Sequence, residues 1–374
     1  MQQASVRTIG FPGRYQQGPG ALRALGTTLA ELGITRASAV FDPAVAQRLA
    51  PIVEASLRES AVTFSRVDFP GETTRAVIAS LADTVRSDKS QAVLAIGGGK
   101  TIDTTKGVAR ALGLPVVICP TAASSDAPTS RLIVLYDEAH RVVGVDYLPR
   151  NPDAVVVDTE VIVAAPKRLF AAGIGDAISK RYESAQCALS GGLNSYGTRP
   201  LASALLLAEQ THAILMRDGP TAYRDVASQQ LTEAVERVVE ATVLLSGVGF
   251  ESGGLSLAHA LLRGLTAVPA MSAMLHGELV AFGTLVQMFV EGRPQHEIDA
   301  LATLLAAVDL PLTLSDLGQP APLSADEKAV IAEATLATSY SRHMVTPLTP
   351  ERLLNSIEKA DTFGQSRRQI DRSA

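Results

Sequence analysis

The feature that most constrains this chain is a change of texture near Pro166. Before it, short apolar runs alternate with helical patterns. Ala37–Phe41, Val62–Val67, Gln91–Ile96, Val116–Cys119, Leu132–Tyr136 and Ala154–Val157 read as strands, and Pro43–Glu59, Thr74–Arg86 and Lys100–Leu112 as helices. Strand–helix–strand repetition predicts an α/β unit with a mainly parallel, Rossmann-like sheet. After about Ala164 β-branched runs become few. Ala172–Leu189, Pro200–Met216, Ser228–Leu245, Ser256–Thr266, Gly277–Val290 and Glu297–Val308 carry apolar positions at three- and four-residue spacing, the pattern of helices with one buried face. A length of 374 residues exceeds one hydrophobic core. The expectation is therefore an α/β domain over residues 1–165 and an all-α domain over residues 166–374.

Composition narrows the function classes. With 47% hydrophobic and 19% charged residues, the chain has the balance of a folded globular protein. A net charge of −5, with no local run of Lys and Arg, argues against a nucleic-acid surface, which needs a concentrated basic field. No stretch approaches about 18 unbroken apolar residues, so no membrane span is expected. Met1-Gln2-Gln3-Ala4-Ser5 lacks the basic and apolar blocks of a signal peptide, which makes cytoplasm the expected location. Cys119 and Cys187 are the only cysteines, too few for a disulfide framework or a thiolate-rich metal site. Any metal must use nitrogen and oxygen ligands.

Two loops follow strands in the first half. Ala92–Ile96 leads into Gly97-Gly98-Gly99-Lys100-Thr101-Ile102-Asp103, where glycines allow close backbone approach and a helix start offers unpaired N–H groups to a phosphate. The run matches neither the G-x-G-x-x-G fingerprint nor a P-loop, so a tight strand-to-helix turn is the plain alternative. Asp42 ends another strand; it can accept ribose hydroxyls and repel a 2′-phosphate, or simply cap the helix that follows. Pro120–Ser130 is dense in hydroxyls around one carboxylate, Asp126, and reads equally as a ligand loop or an ordinary turn.

In the second half three segments stand out. They are Gly173-Ile174-Gly175-Asp176, the run Gly249-Phe250-Glu251-Ser252-Gly253-Gly254 leading to His259, and Leu275-His276-Gly277-Glu278. Only six histidines occur, and His259 and His276 fall in apolar helical stretches. Two imidazoles with a carboxylate suit Zn²⁺ or Fe²⁺ and leave coordination positions open. Buried hydrogen-bonded histidines and an Asp helix cap would explain the same residues, and no short spacing ties the three together.

Taken in order, these motifs strongly resemble the glycerol dehydrogenases of the iron-containing alcohol dehydrogenase superfamily, over nearly the whole chain. The resemblance implies that superfamily's dehydroquinate synthase-like architecture. It also implies a zinc ion, with Fe²⁺ as the variant, held by Asp176, His259 and His276. Implied NAD contacts come from Asp42, Gly98, Gly99, Lys100, Thr121, Ser124, Ser130, Leu132 and Tyr136, with Asp126 against the substrate. The implied reaction is reversible oxidation of glycerol to dihydroxyacetone, in a homo-oligomer acting on a small neutral polyol. Arg131, Arg263 and Pro269 border the implied site segments. A related 2-oxo-acid reductase is disfavoured because Asp126 would repel a substrate carboxylate. A sugar-phosphate enzyme would need a basic cluster that Lys180, Arg181 and Arg263 do not form. A non-enzymatic dinucleotide sensor would have lost a ligand or the glycine loop.

Overall fold

The computed structural model describes residues 6–138 and 141–373. The expectation drawn from Met1–Ser5 concerns residues outside that range. The chain forms two compact units, one of Gly10–Pro166 with Gln229–Leu231, the other of residues 6–9, Lys167–Ser228 and the chain from Thr232 onward. Residues 6–9 join the helical unit through hydrogen bonds: Thr8 N donates to Thr198 Oγ1 at 3.0 Å, and Asn194 Nδ2 donates to Thr8 O at 3.1 Å.

In the first unit, strands β1 (Tyr15–Gly18), β2 (Arg36–Phe41), β3 (Thr63–Asp68), β4 (Ala92–Gly97), β5 (Val116–Pro120) and β8 (Ala154–Asp158) form a parallel sheet ordered β1-β8-β5-β4-β2-β3. Every residue of β4, β5 and β8 is buried, the signature of strands covered on both faces. The helices are α1 (Leu25–Glu31), α2 (Pro43–Glu59), α3 (Arg75–Ser87), α4 (Gly99–Leu112) and α5 (Thr159–Val163). Their starts follow local chemistry. Asp42 caps α2 through the Ala44 N–H at 3.0 Å with Pro43 in the first turn, and Thr74 caps α3 through the Val77 N–H.

The fold expectation of a mainly parallel sheet followed by helices is met, with two differences in detail. In β1, Tyr15-Gln16-Gln17-Gly18 carries no apolar run to mark it as a strand; it lies at the sheet edge, paired with β8. Leu132–Tyr136 (β6) does not join the parallel sheet. It pairs antiparallel with β7 (Val142–Tyr147), because the short link between them cannot make the crossover that parallel pairing needs.

The second unit contains α6 (Lys167–Ala177), α7 (Lys180–Ser190), α8 (Ala202–Ala227), α9 (Glu233–Val239), a π-helical stretch over Glu240–Leu245, α10 (Ser246–Gly253), α11 (Leu257–Thr266), α12 (His276–Glu291), α13 (Gln295–Ala307), α14 (Ala325–Leu336) and α15 (Pro350–Ser373). Among the described residues no single helix is long and apolar enough to cross a membrane. Helices α6 and α12 touch backbone to backbone: a Cβ on Gly277 would lie 1.7 Å from Ala172 O, and one on Gly175 would lie 2.3 Å from Gly277 O. The path from α10 to α11 bends by 98° at Gly254, whose φ is +85°. A side chain there is strained by the backbone and blocked by Cys187 Sγ, 2.4 Å from the Cβ position.

Candidate functional site

Three helices of the second unit bring Asp176, His259 and His276 together. Their ligand atoms all lie within 4.8 Å of one another. Asp176 Oδ1 is 3.3 Å from His259 Nε2 and 3.6 Å from His276 Nε2. Asp176 sits near the end of α6, His259 in the first turn of α11 and His276 at the start of α12. The glycine contact between α6 and α12 sets the separation of Asp176 and His276, and the bend at Gly254 aims α11, which carries His259, at the same point. Exposure is graded: the Asp176 side chain is 1% exposed, His259 10% and His276 46%, so the cluster opens to solvent beside His276.

Two more side chains complete the arrangement. Ile178 N donates to Ile174 O and Glu183 N to Ser179 O, each at 3.0 Å, so the chain stays helical from α6 into α7. Asp176, Lys180 and Glu183 therefore share one face. Glu183 is wholly buried and accepts the Ser256 N–H at 2.9 Å, the His259 N–H at 3.0 Å and His259 Nδ1 at 2.6 Å. Placing the imidazole proton on Nδ1 leaves Nε2 as a lone-pair donor toward Asp176, the second-sphere device common at metal-binding histidines.

Charge follows geometry. Burial works against the Glu183 carboxylate, but His259 and Lys180 outweigh it and bring its pKa down to about 2. Burial likewise opposes the His259 imidazolium, yet Glu183 and Asp176 lift it to about 9. For Asp176 the penalty of burial is overcome by Lys180, His276 and His259, which hold the carboxyl well below its usual range. At the open edge, Arg168 forms a two-pronged ion pair with Glu278 at 2.6 and 2.8 Å, while Glu278 accepts the Leu275 N–H at 2.8 Å. That bond fixes the first turn of α12, where His276 stands.

The donors fit a divalent cation. Asp176 Oδ2 is buried with no hydrogen-bond partner among the described residues, a costly state for a carboxylate oxygen that a cation would relieve. One carboxylate and two imidazoles match the nitrogen–oxygen preference of Zn²⁺ and Fe²⁺. Replacing Glu183 with glutamine is expected to weaken metal affinity about 10–100-fold with the fold retained, because its amide can no longer hold the Nδ1 proton as a full charge does. Competition with a chromophoric chelator measures this; unchanged affinity removes Glu183 from the site.

In the first unit, the carboxyl ends of β2 and β4 lie side by side where the strand order reverses, the place such sheets bind ligands. Gly97 must be glycine: its Cβ would lie 2.7 Å from Thr101 Oγ1 and 2.8 Å from Asp42 Cβ. Gly98 and Gly99 differ. A Cβ on Gly98 meets nothing within 4 Å, and on Gly99 only Ser125 Oγ at 3.9 Å. Gly98 also leaves the start of α4 without a side-chain cap, and Thr101 Oγ1 is buried without a partner among the described residues. Open backbone, uncapped N–H groups and an unsatisfied hydroxyl fit a phosphate-bearing ligand.

The other residues singled out from sequence fall around this edge with different surroundings. Asp42 does cap its helix. Thr121 N donates to Gly97 O at 3.1 Å, tying the hydroxyl loop to the glycine loop. Lys100 pairs with Glu72 at 2.7 Å and lies 5.1 Å from the ring centre of Tyr136. Ser124 is half-buried, whereas Ser130 is 1% exposed with its hydroxyl turned to Ala127 O at 3.4 Å. Leu132 O and Ala127 O both accept from the buried ammonium of Lys106, at 3.0 and 2.6 Å. Lys106 thus anchors the loop on either side of Ser130, next to the buried Asp126. Burial pushes the neighbouring Asp103 carboxyl up to about 6, against Lys106 and the Val134 N–H, with Asp126 adding to the rise.

Sequence reasoning missed Glu183, Lys106 and the role of Glu278. Glu183 and Lys180 carried a legible signal, their spacing of seven and four residues from Asp176. Lys106 carried none beyond its place in α4.

The profile of the iron-containing alcohol dehydrogenases matches residues 12–159. The glycerol dehydrogenase of Escherichia coli O6:H1 is 40% identical, over 96% of this chain and 98% of the relative. That of Thermotoga maritima is 37% identical over 98% and 100%. The crystal structure of glycerol dehydrogenase from Schizosaccharomyces pombe superposes with a TM-score of 0.92 at 32% identity, covering 99% of this chain and 94% of that one. The chain that carries this parallel sheet, glycine-loop edge and Asp–His–His cluster is an oxidoreductase. This chain is a member of the iron-containing alcohol dehydrogenase family.

Proposed function

We propose that this chain is a zinc- and NAD-dependent dehydrogenase that reversibly oxidises glycerol, or a closely related vicinal diol, to the hydroxyketone. The observation that carries the reading is the convergence of Asp176, His259 and His276 on one partly open point, with an orphaned carboxylate oxygen among them. Full-length relatives named glycerol dehydrogenase support the substrate. In this reading the helical unit holds metal and substrate, and the Gly10–Pro166 unit holds the dinucleotide. Zn²⁺ is favoured and Fe²⁺ is the alternative.

When bound, the cation supplies positive charge that makes an alcohol oxygen easier to deprotonate, and the nicotinamide accepts the hydride. The chain's own work is to hold and orient. Asp176, His259 and His276 present the donors, Glu183 keeps His259 in the right tautomer, and the Arg168–Glu278 pair steadies His276. Gly98 and Gly99 offer backbone to the pyrophosphate, with Lys100, Thr121, Ser124, Ser130, Leu132 and Tyr136 around the rest of the cofactor. Asp42, beyond its cap, accepts the ribose hydroxyls and so selects NAD over NADP. Asp126 accepts a hydroxyl of a neutral polyol. The reading includes homo-oligomeric assembly and a cytoplasmic location, the latter in keeping with two buried free cysteines.

Metal analysis and a substrate panel test it. The expected result is stoichiometric Zn²⁺ or Fe²⁺ and turnover of glycerol with NAD above that of simple alcohols and 2-hydroxy acids. Absence of bound metal, or preference for a 2-hydroxy acid, overturns it. For Asp126→Asn the expected loss in kcat/KM for polyol is about 10–100-fold, the worth of one hydrogen bond to a charged acceptor. NAD affinity should stay nearly unchanged; an equal loss of cofactor binding would move Asp126 out of the substrate role.

A further inference from the structure

Lys180 is a lysine where a metal centre has least use for one. Its side chain is wholly enclosed, so its charge is not shared with water. Nζ lies 2.5 Å from Asp176 Oδ1 and 3.3 Å from His259 Nε2, within hydrogen-bond reach of two of the three donor atoms. It also stands 5.6 Å from the ring centre of Phe250. It lies one helical turn from Asp176 on the same face. Two buried carboxylates, Asp176 and Glu183, are packed beside it.

Counting charges shows what this placement does. When neutral imidazoles and Asp176 hold a divalent cation, that cation, Asp176, Glu183 and Lys180 sum to +1; without Lys180 the loaded centre would be neutral. A buried like charge this close to the donors opposes the cation, because little solvent screens it. The same charge steadies the two carboxylates when the cation leaves.

We propose that Lys180 is a resident counter-cation of the metal centre: it weakens the hold on the divalent ion and keeps the helical unit folded when that ion is gone. This rests on the metal reading given above. It makes the ion exchangeable and the loss of it reversible, properties that the Asp–His–His set does not by itself confer.

The test compares full-length wild type with Lys180→Met, of similar length without charge, and Lys180→Gln, which keeps a donor for Asp176. Zn²⁺ affinity is read by competition with a chromophoric chelator, and thermal midpoints are read with and without Zn²⁺. Both variants are expected to bind Zn²⁺ at least tenfold more tightly. Both should also melt lower than wild type in the metal-free form, with a smaller difference when loaded. A lysine that only braces the helix would lower affinity and stability together, and affinity equal to or weaker than wild type in both variants overturns the proposal. If Lys180→Met does not fold without metal, Lys180→Gln carries the comparison. Wild type that binds no stoichiometric Zn²⁺ overturns the metal reading and this proposal with it; wild-type binding with no gain in either variant overturns this proposal alone.

Discussion

Replacing Asp176 with asparagine is expected to abolish stoichiometric metal binding and lower kcat/KM by about a thousandfold or more. The reason is electrostatic rather than steric. Asn keeps the shape and an oxygen for Lys180 but removes the only anionic donor of the cluster, leaving a cation to bind beside a buried ammonium. Losing Lewis-acid stabilisation of several kcal/mol corresponds to three decades or more in rate. The fold should survive, seen as an unchanged circular dichroism spectrum, with metal content read by elemental analysis after dialysis. Asp176→Ala is a poorer probe, since it strands the Lys180 ammonium in the interior at a cost of about 3–5 kcal/mol. Full activity of the asparagine variant after chelation would overturn the ligand assignment.

The second large effect is structural and arises at Gly277. An added methyl would sit 1.7 Å from Ala172 O, 2.5 Å from its carbonyl carbon and 3.0 Å from its Cα, all backbone atoms of α6. No side chain can rotate away to make room, so the helices must separate. Ordinary overpacking costs about 1–3 kcal/mol, and a backbone-to-backbone clash is expected at or above the top of that range. For Gly277→Ala this means a drop in Tm of roughly 6–12 °C for a unit of this size. Because α6 carries Asp176 and α12 carries His276, the same separation should weaken metal affinity although no ligand has changed. A variant that melts within a degree of wild type and keeps its metal would show that this helix contact does not set the site.

These two positions illustrate how differently a site and its support are written in a chain. Asp176, His259 and His276 are polar residues in apolar helical surroundings, but at separations of 83 and 17 positions no periodicity joins them. Each had an ordinary explanation, a cap or a buried histidine. Resemblance to a family joined them first, and the bend at Gly254 with the α6–α12 contact supplies the physical cause. Gly277 was visible only as part of a motif; that it is a steric necessity depends on Ala172, more than a hundred residues earlier. Glu183 was legible in principle, since its spacing from Asp176 places both on one helix face, yet only the structure shows it hydrogen-bonded to His259.

What the sequence determined by itself was local: the alternation that makes a parallel sheet, the cap at Asp42, the glycine loop at the end of β4 and the switch to helices near Pro166. Propensity, capping and hydrophobic period act over a few residues and are printed in order along the chain. The tertiary structure decided everything that depends on distant segments meeting. It put Leu132–Tyr136 in an antiparallel hairpin, joined residues 6–9 to the helical unit, oriented His259 through Glu183 and set a buried lysine beside the Asp176, His259 and His276 cluster. Such contacts arise from packing and charge balance in three dimensions, where sequence separation no longer measures distance.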